Sequence, residues 1–158
     1  MNAADIMTKS VICVRSTTPV SEIAALLLKN EISAVPVLGD DDSIVGIVSE
    51  DDLLRRRARS RRHSWWLGLL AGGPPQPEEV MKARDLKAEG VMVRRVVTTR
   101  EEAPLDVVAS LLRRHRIKRI PVVRRGKIVG IISRADLLNA LLDGKRQASR
   151  RVALPQRA

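Results

Sequence analysis

Short apolar runs and helical stripes alternate along this chain in an order that occurs twice. In the first half, Val11-Ile12-Cys13-Val14 predicts a short buried strand. A helix then opens at Thr18-Pro19. Threonine suits a cap, and proline suits the first helical position because no partner awaits its missing N–H there. Val20, Ile23, Ala24 and Leu27 recur at i, i+3, i+4 and i+7, a stripe that belongs in a core. Two strands follow, Ala34 to Leu38 and Ser43 to Val48, joined by Gly39-Asp40-Asp41-Asp42. A last helix starts at Ser49. The second half repeats each step. It has the run Val96-Val97-Thr98-Thr99 and the stripe Leu105, Val108, Ala109 and Leu112. Strands Arg119 to Val123 and Lys127 to Ile132 then flank Arg124-Arg125-Gly126, and a helix starts at Ser133. The pattern is β-α-β-β-α, twice.

The two copies align with one residue dropped in a loop. Met7 lies over Met92, Pro19 over Pro104, Ile32 over Ile117, Pro36-Val37 over Pro121-Val122, and the stretch Ile44 to Leu54 over Ile128 to Leu138. About 18 aligned positions are identical, the mark of a duplicated unit. The predicted fold class is α/β (α+β), with two repeats packed in pseudo-two-fold symmetry and a cleft between them. The first repeat spans residues 1–56 and the second 89–142. Residues 57–88 form a linker, long for a connection inside one domain, and residues 143–158 a basic tail predicted to be disordered. The linker region carries an arginine run from Arg55 to His63, an apolar patch Ser64-Trp65-Trp66-Leu67-Gly68-Leu69-Leu70, and a Gly/Pro break at 72–77. From Glu78 to Glu89 a charged helix is predicted.

Composition narrows the function classes. Phe and Tyr are absent and Trp65 and Trp66 are the only aromatics, so the core is aliphatic and base stacking on exposed rings has little to work with. One cysteine, Cys13, permits no internal disulfide and reads as a small hydrophobe in a strand. No stretch of ~18 apolar residues marks a membrane span, and the N-terminus lacks a signal-peptide pattern. The expected location is cytoplasmic. The net charge of +11 is uneven: residues 1–54 carry three basic and nine acidic side chains, and residues 55–158 carry 26 and nine. That excess suits either anionic partners or solvated arginine-rich faces.

The sharpest chemical pattern is Gly-h-h-Ser-x-x-Asp (h, apolar), as Gly46…Ser49…Asp52 and Gly130…Ser133…Asp136. Two readings fit it. Ser and Asp three apart at a helix start make a capping-box-like pair. The same hydroxyl and helix-start N–H groups also suit a phosphate, with the carboxylate accepting from ribose hydroxyls. Recurrence does not separate them, because a duplicated cap recurs too. His63 and His115 have no second ligand at metal spacing, so no metal site is expected. No Ser-His-Asp, paired-carboxylate or P-loop pattern occurs, so no catalytic residue is named and no enzyme is expected.

The ordered, duplicated motifs Ile32-Ser33-Ala34-Val35-Pro36-Val37, Ile44-Val45-Gly46-Ile47-Val48-Ser49 and Asp52-Leu53, with their second-copy partners, resemble a tandem pair of CBS domains. The resemblance covers residues 5–56 and 89–142. It implies a regulatory module, often called a Bateman module, that binds AMP, ADP, ATP or S-adenosylmethionine in clefts between the repeats. No obligatory cofactor follows from it. The resemblance implies sites shared crosswise. One would take Ile12 and Ile32-Ser33-Ala34 with Ser133 and Asp136, the aspartate holding ribose and the serine a phosphate. The other would take Val97 and Ile117-Lys118-Arg119 with Ser49 and Asp52. Glu50, Asp51 and Asp52 put three negative charges in that second site, and Lys118-Arg119 stand where the first copy has the small Ser33-Ala34. The Asp136 site is therefore preferred.

The resulting expectation is an adenosine sensor that signals by conformation or assembly to a separate molecule. A homodimer is expected, with Trp65 and Trp66 contributing to its interface. Two alternatives stand beside it: a nucleic-acid-binding protein using Arg55–Arg62 and the second-copy arginines, and a purely structural dimerisation module.

Overall fold

A computed structural model of the chain describes residues 1–53 and 86–142. The linker residues Trp65 and Trp66, the arginine run, most of the predicted Glu78–Glu89 helix and the basic tail lie outside the described residues. The chain divides into two compact units. One is Ile12–Val96; the other joins Met1–Val11 to the chain from Val97 onward.

Within Ile12–Val96, β1 (Val14–Arg15), α2 (Val20–Lys29), β2 (Ala34–Leu38) and β3 (Ile44–Ser49) follow in the predicted order, and a further helix, α3, begins at residues 50–53. β1 pairs parallel to β2 and β2 antiparallel to β3, with a bulge between Val37 and Leu38. Isolated bridges Ile47–Val93 and Pro19–Lys87 bring in residues from the linker's end and just after it, and α4 (Ala88–Val91) comes with them. The predicted stripe buries Ile23 and Leu27 of α2 against Val35, Val37 and Val48 of the sheet, with Ala88 and Val91 of α4 in the same cluster. Each fully buried Ile, Leu or Val contributes about 1.5–3 kcal/mol through the water it sheds.

The other unit repeats this plan. It contains α1 (Ala3–Ile6), α5 (Leu105–Arg114), β4 (Arg119–Arg124), β5 (Lys127–Ser133) and α6 at residues 134–142. β4 and β5 pair antiparallel with the same bulge, between Val122 and Val123. Thr99 bridges Val122 in parallel, and Thr8 bridges Ile131. Ala3, Val108, Leu112, Ile120, Val122 and Ile132 form the core. Pro121 sits inside this sheet without disrupting it. Its carbonyl accepts from Thr99 N–H at 3.0 Å, so its nitrogen faces an edge one residue long, where no ladder requires a donor. Opposite it, Ile131 exchanges both backbone bonds with Thr8, each 3.0 Å.

Several local expectations are corrected. Thr18 does not cap α2: Pro19 holds the N-cap position, and the Thr18 hydroxyl accepts from Arg15 N–H at 3.0 Å. The open helix end finds another partner, Val20 N–H donating to Leu86 O at 2.8 Å. The run Val11–Val14 shrinks to a two-residue strand, and Val96–Thr99 to a single bridge. The reason is local, since Val11 N–H closes on Lys9 O and Val96 N–H on Arg94 O, each at 3.1 Å, turning the chain before a ladder forms. Cys13 precedes the strand and is half-buried rather than buried. Where the single helix Glu78–Glu89 was expected, the described residues show non-helical Leu86 and Lys87 and then the separate short α4.

Candidate functional site

Both Gly-h-h-Ser-x-x-Asp motifs form the reciprocal cap. Ser49 donates its N–H and its hydroxyl to Asp52 Oδ2, at 2.9 and 2.6 Å, and Asp52 N–H returns a bond to Ser49 Oγ at 3.2 Å. In the second copy, Ser133 N–H and hydroxyl reach Asp136 Oδ2 at 2.7 Å each, and Asp136 N–H reaches Ser133 Oγ at 3.3 Å. All four side chains belong to half-buried residues. The capping reading is thus a fact of the structure. Ligand binding stays compatible with it, because the cap holds one carboxylate oxygen and thereby aims the other.

The motif glycine has a steric origin. A Cβ on Gly46 would lie 2.8 Å from Met92 Cγ, and one on Gly130 would lie 2.7 Å from Met7 Cγ. Sequence reading aligned the methionines and the glycines separately; the fold brings each methionine onto the opposite copy's glycine strand. Nothing in a single sequence flags that pairing except that both members recur.

The described units gather the candidate residues by copy. In Ile12–Val96, Ala34 stands opposite Ser49 in the β2–β3 register, and Glu50 N–H donates to Ser33 O at 3.0 Å. Ile32 closes its N–H on Leu27 O at 3.0 Å, and Ile12 and Ile32 both pack on that unit's core. In the other unit, Arg119 stands opposite Ser133, and Arg134 N–H donates to Lys118 O at 3.1 Å. Val97 and Ile117 pack on its core. Arg134 also donates its guanidinium Nε–H to Ile117 O at 3.1 Å. Arg134 was not singled out from the sequence, although its place directly after the motif serine marks it. Lys118 is exposed and Arg119 half-buried.

Other features lie apart from these sets. A depression of about 260 Å³ is lined by Cys13, Arg15, Thr18, Glu22, Leu26 and others, and includes none of the named site residues. Arg15 there is held by Gly39 O at 2.6 Å and Asp42 at 2.5 Å. Burial pushes the Cys13 thiol pKa up, opposed by the nearby Arg15 charge, which makes it a poor nucleophile. His115 ends α5 as its exposed C-cap, and His63 lies outside the described residues. Among the described residues no three His, Cys, Asp or Glu side chains gather as metal ligands, and no helix is long and apolar enough to cross a membrane.

Comparison with known proteins gives these motifs a context. An uncharacterized protein of Methanocaldococcus jannaschii is 30% identical over 154 residues, covering 87% of this chain and 89% of its own length. The crystal structure of the CBS domain pair of protein MJ0100 in complex with 5′-methylthioadenosine and S-adenosyl-L-methionine superposes with a TM-score of 0.70 at 25% identity, covering 92% of this chain and 98% of its own. The structure of CBSX2 in complex with AMP does so with a TM-score of 0.71 at 26% identity, covering 91% and 98%. A protein named CBSX2 is chloroplastic in Arabidopsis thaliana. The CBS domain family model matches twice, over residues 3–59 and 84–143. With both sequence copies matched, this chain belongs to the CBS domain family.

Proposed function

We propose that this chain is a regulatory module that binds an adenosine-type ligand beside each Ser–Asp cap and signals its occupancy by conformation or assembly. The observation that carries the proposal is the cap itself. Two hydrogen bonds from serine fix one carboxylate oxygen, leaving the other as an oriented acceptor for ribose hydroxyls. Family relatives at 25–26% identity hold AMP, or 5′-methylthioadenosine and S-adenosylmethionine. That ligand class is the one the motif chemistry suits.

The sites group by copy in this proposal. Asp52 works with Ile12 and Ile32-Ser33-Ala34, and Asp136 with Val97 and Ile117-Lys118-Arg119. Backbone bonds between the motif serine's strand and the preceding segment hold each of these sets together. Calorimetry with AMP, ADP, ATP and S-adenosylmethionine tests the function. At least one should bind below ~1 mM, and Asp136→Asn or Asp52→Asn should weaken it about tenfold or more, the value of a hydrogen bond to a charged acceptor. Silence across the panel rejects the reading. Ser33→Leu tests the grouping: it should obstruct the ligand that Asp52→Asn weakens. Obstruction of the ligand that Asp136→Asn weakens restores the crosswise arrangement.

A further inference from the structure

The two caps are superimposable in their hydrogen bonding and opposite in their surroundings. Glu31 and Arg116 occupy matched positions, with left-handed φ of 52° and 54°. The next residues, Ile32 and Ile117, both close their N–H groups at 3.0 Å, on Leu27 O and Leu112 O. Glu50 and Arg134 each follow the motif serine and donate N–H to matched carbonyls, of Ser33 at 3.0 Å and Lys118 at 3.1 Å. Ala34 and Arg119 face Ser49 and Ser133 in register. Asp51 is matched by Ala135. Across these five positions the first copy carries a net charge of −3 and the second +4, and every exchange runs in the same direction. The backbone is constant; the charge is not.

We propose that the two sites sort adenosine ligands by charge. The Ser133–Asp136 site takes polyphosphorylated nucleosides, and the Ser49–Asp52 site takes uncharged or cationic ones, such as adenosine thioethers and sulfonium compounds. The inference rests on the adenosine reading above and names the ligand class of each site. In water a unit charge ~7 Å from a phosphate changes its binding about threefold, and salt screens that effect within ~10 Å. Four cations around one cap and three anions around the other therefore separate a triphosphate from a sulfonium ligand by orders of magnitude, with no difference in base contacts. Glu31, Glu50, Arg116, Lys118 and Arg134 are exposed, so changing their charge disturbs no core.

Equilibrium binding of ATP, 5′-methylthioadenosine and S-adenosylmethionine to the full chain at 50 and 300 mM KCl tests the sorting, with Arg134→Glu and Glu50→Arg as variants. Arg134→Glu reverses one charge and should weaken ATP about tenfold while leaving S-adenosylmethionine within twofold. Glu50→Arg should do the converse. Higher salt should weaken ATP and leave 5′-methylthioadenosine unchanged. If Arg134→Glu fails to fold by circular dichroism, Arg116→Glu replaces it with the same expectation. Equal response of ATP and S-adenosylmethionine to both variants overturns the sorting while the adenosine reading stands. Binding of none of the three by the wild-type chain overturns both.

Discussion

At the scale of single residues, the motif glycines and methionines form one device. Methionine is the adaptable partner, and glycine is the position that cannot grow. Gly46→Ala and Gly130→Ala should each lower stability by about 1–3 kcal/mol in urea unfolding, as overpacked positions do. Met92→Ala should relieve much of the Gly46→Ala loss, and Met7→Ala that of Gly130→Ala; simple additivity would show that the methionine is not the obstruction. A second residue-scale device is the pair Glu101–Arg124, joined at 2.5 and 2.7 Å. The bond from Arg124 holds the Glu101 carboxyl below its ordinary range. A lowered folded pKa gives stability that is present above the unfolded value of about 4.3 and is lost as pH falls through the folded value. Glu101→Gln should therefore unfold at lower urea than wild type at pH 7, and the gap should close as the buffer is acidified through the lowered folded value. A gap that persists there would trace the loss to something other than the charge.

At the scale of elements, the two short leader helices decide how the copies are completed. α1 sends the N–H groups of Ala3 and Ala4 to Ala103 O and Glu101 O, at 2.9 and 3.0 Å. α4 does the same with Ala88 and Glu89, onto Thr18 O and Ser16 O, at 2.8 and 2.9 Å. Each leader thus seals the copy that it does not precede. Removing residues 1–8 should speed amide exchange at Ile131 and around Ile120 in the second copy and leave Ile47 protected. Faster exchange confined to the first copy would contradict the exchanged arrangement. The hairpin strands β2 to β5 were legible from apolar runs on either side of a turn, and α2 and α5 from ten residues of one period; the run before each helix was not, because it turns before pairing. The leaders were not. Four-residue helices carry no period, and Ala3 and Ala88 are fully buried only because of distant partners, Ala103 for the first and Thr18 for the second. The Asn2…Asp5 spacing, where Asn2 N–H donates to the Asp5 carboxylate at 2.7 Å, was the one local hint. The Ser–Asp pairs were fully legible as chemistry, whereas their same-copy backbone partners became visible only through strand register.

At the scale of the whole molecule, assembly is the remaining consequence. On α6, Leu138, Leu141 and Leu142 are 61%, 65% and 59% exposed. They stand at i, i+3 and i+4 and so share one helix face, while Ala140 on another face is 8% exposed and belongs to the core. An apolar stripe of this kind suits a second copy of the chain. A homodimer is the expected state by light scattering at ~50 μM, in the range where a modest interface is populated. Leu138→Asp with Leu142→Asp should shift it to monomer, because charges buried in a symmetric interface are met twice. Trp65→Ala and Trp66→Ala test the linker's part, a hot-spot truncation costing about 2 kcal/mol or more. Asp136→Ala should leave the mass unchanged, since the cap carboxylate is engaged by Ser133 at the start of α6, away from the leucine stripe near its end. A monomer in the wild-type chain rejects the assembly, and a dimer indifferent to the leucine changes moves its interface elsewhere.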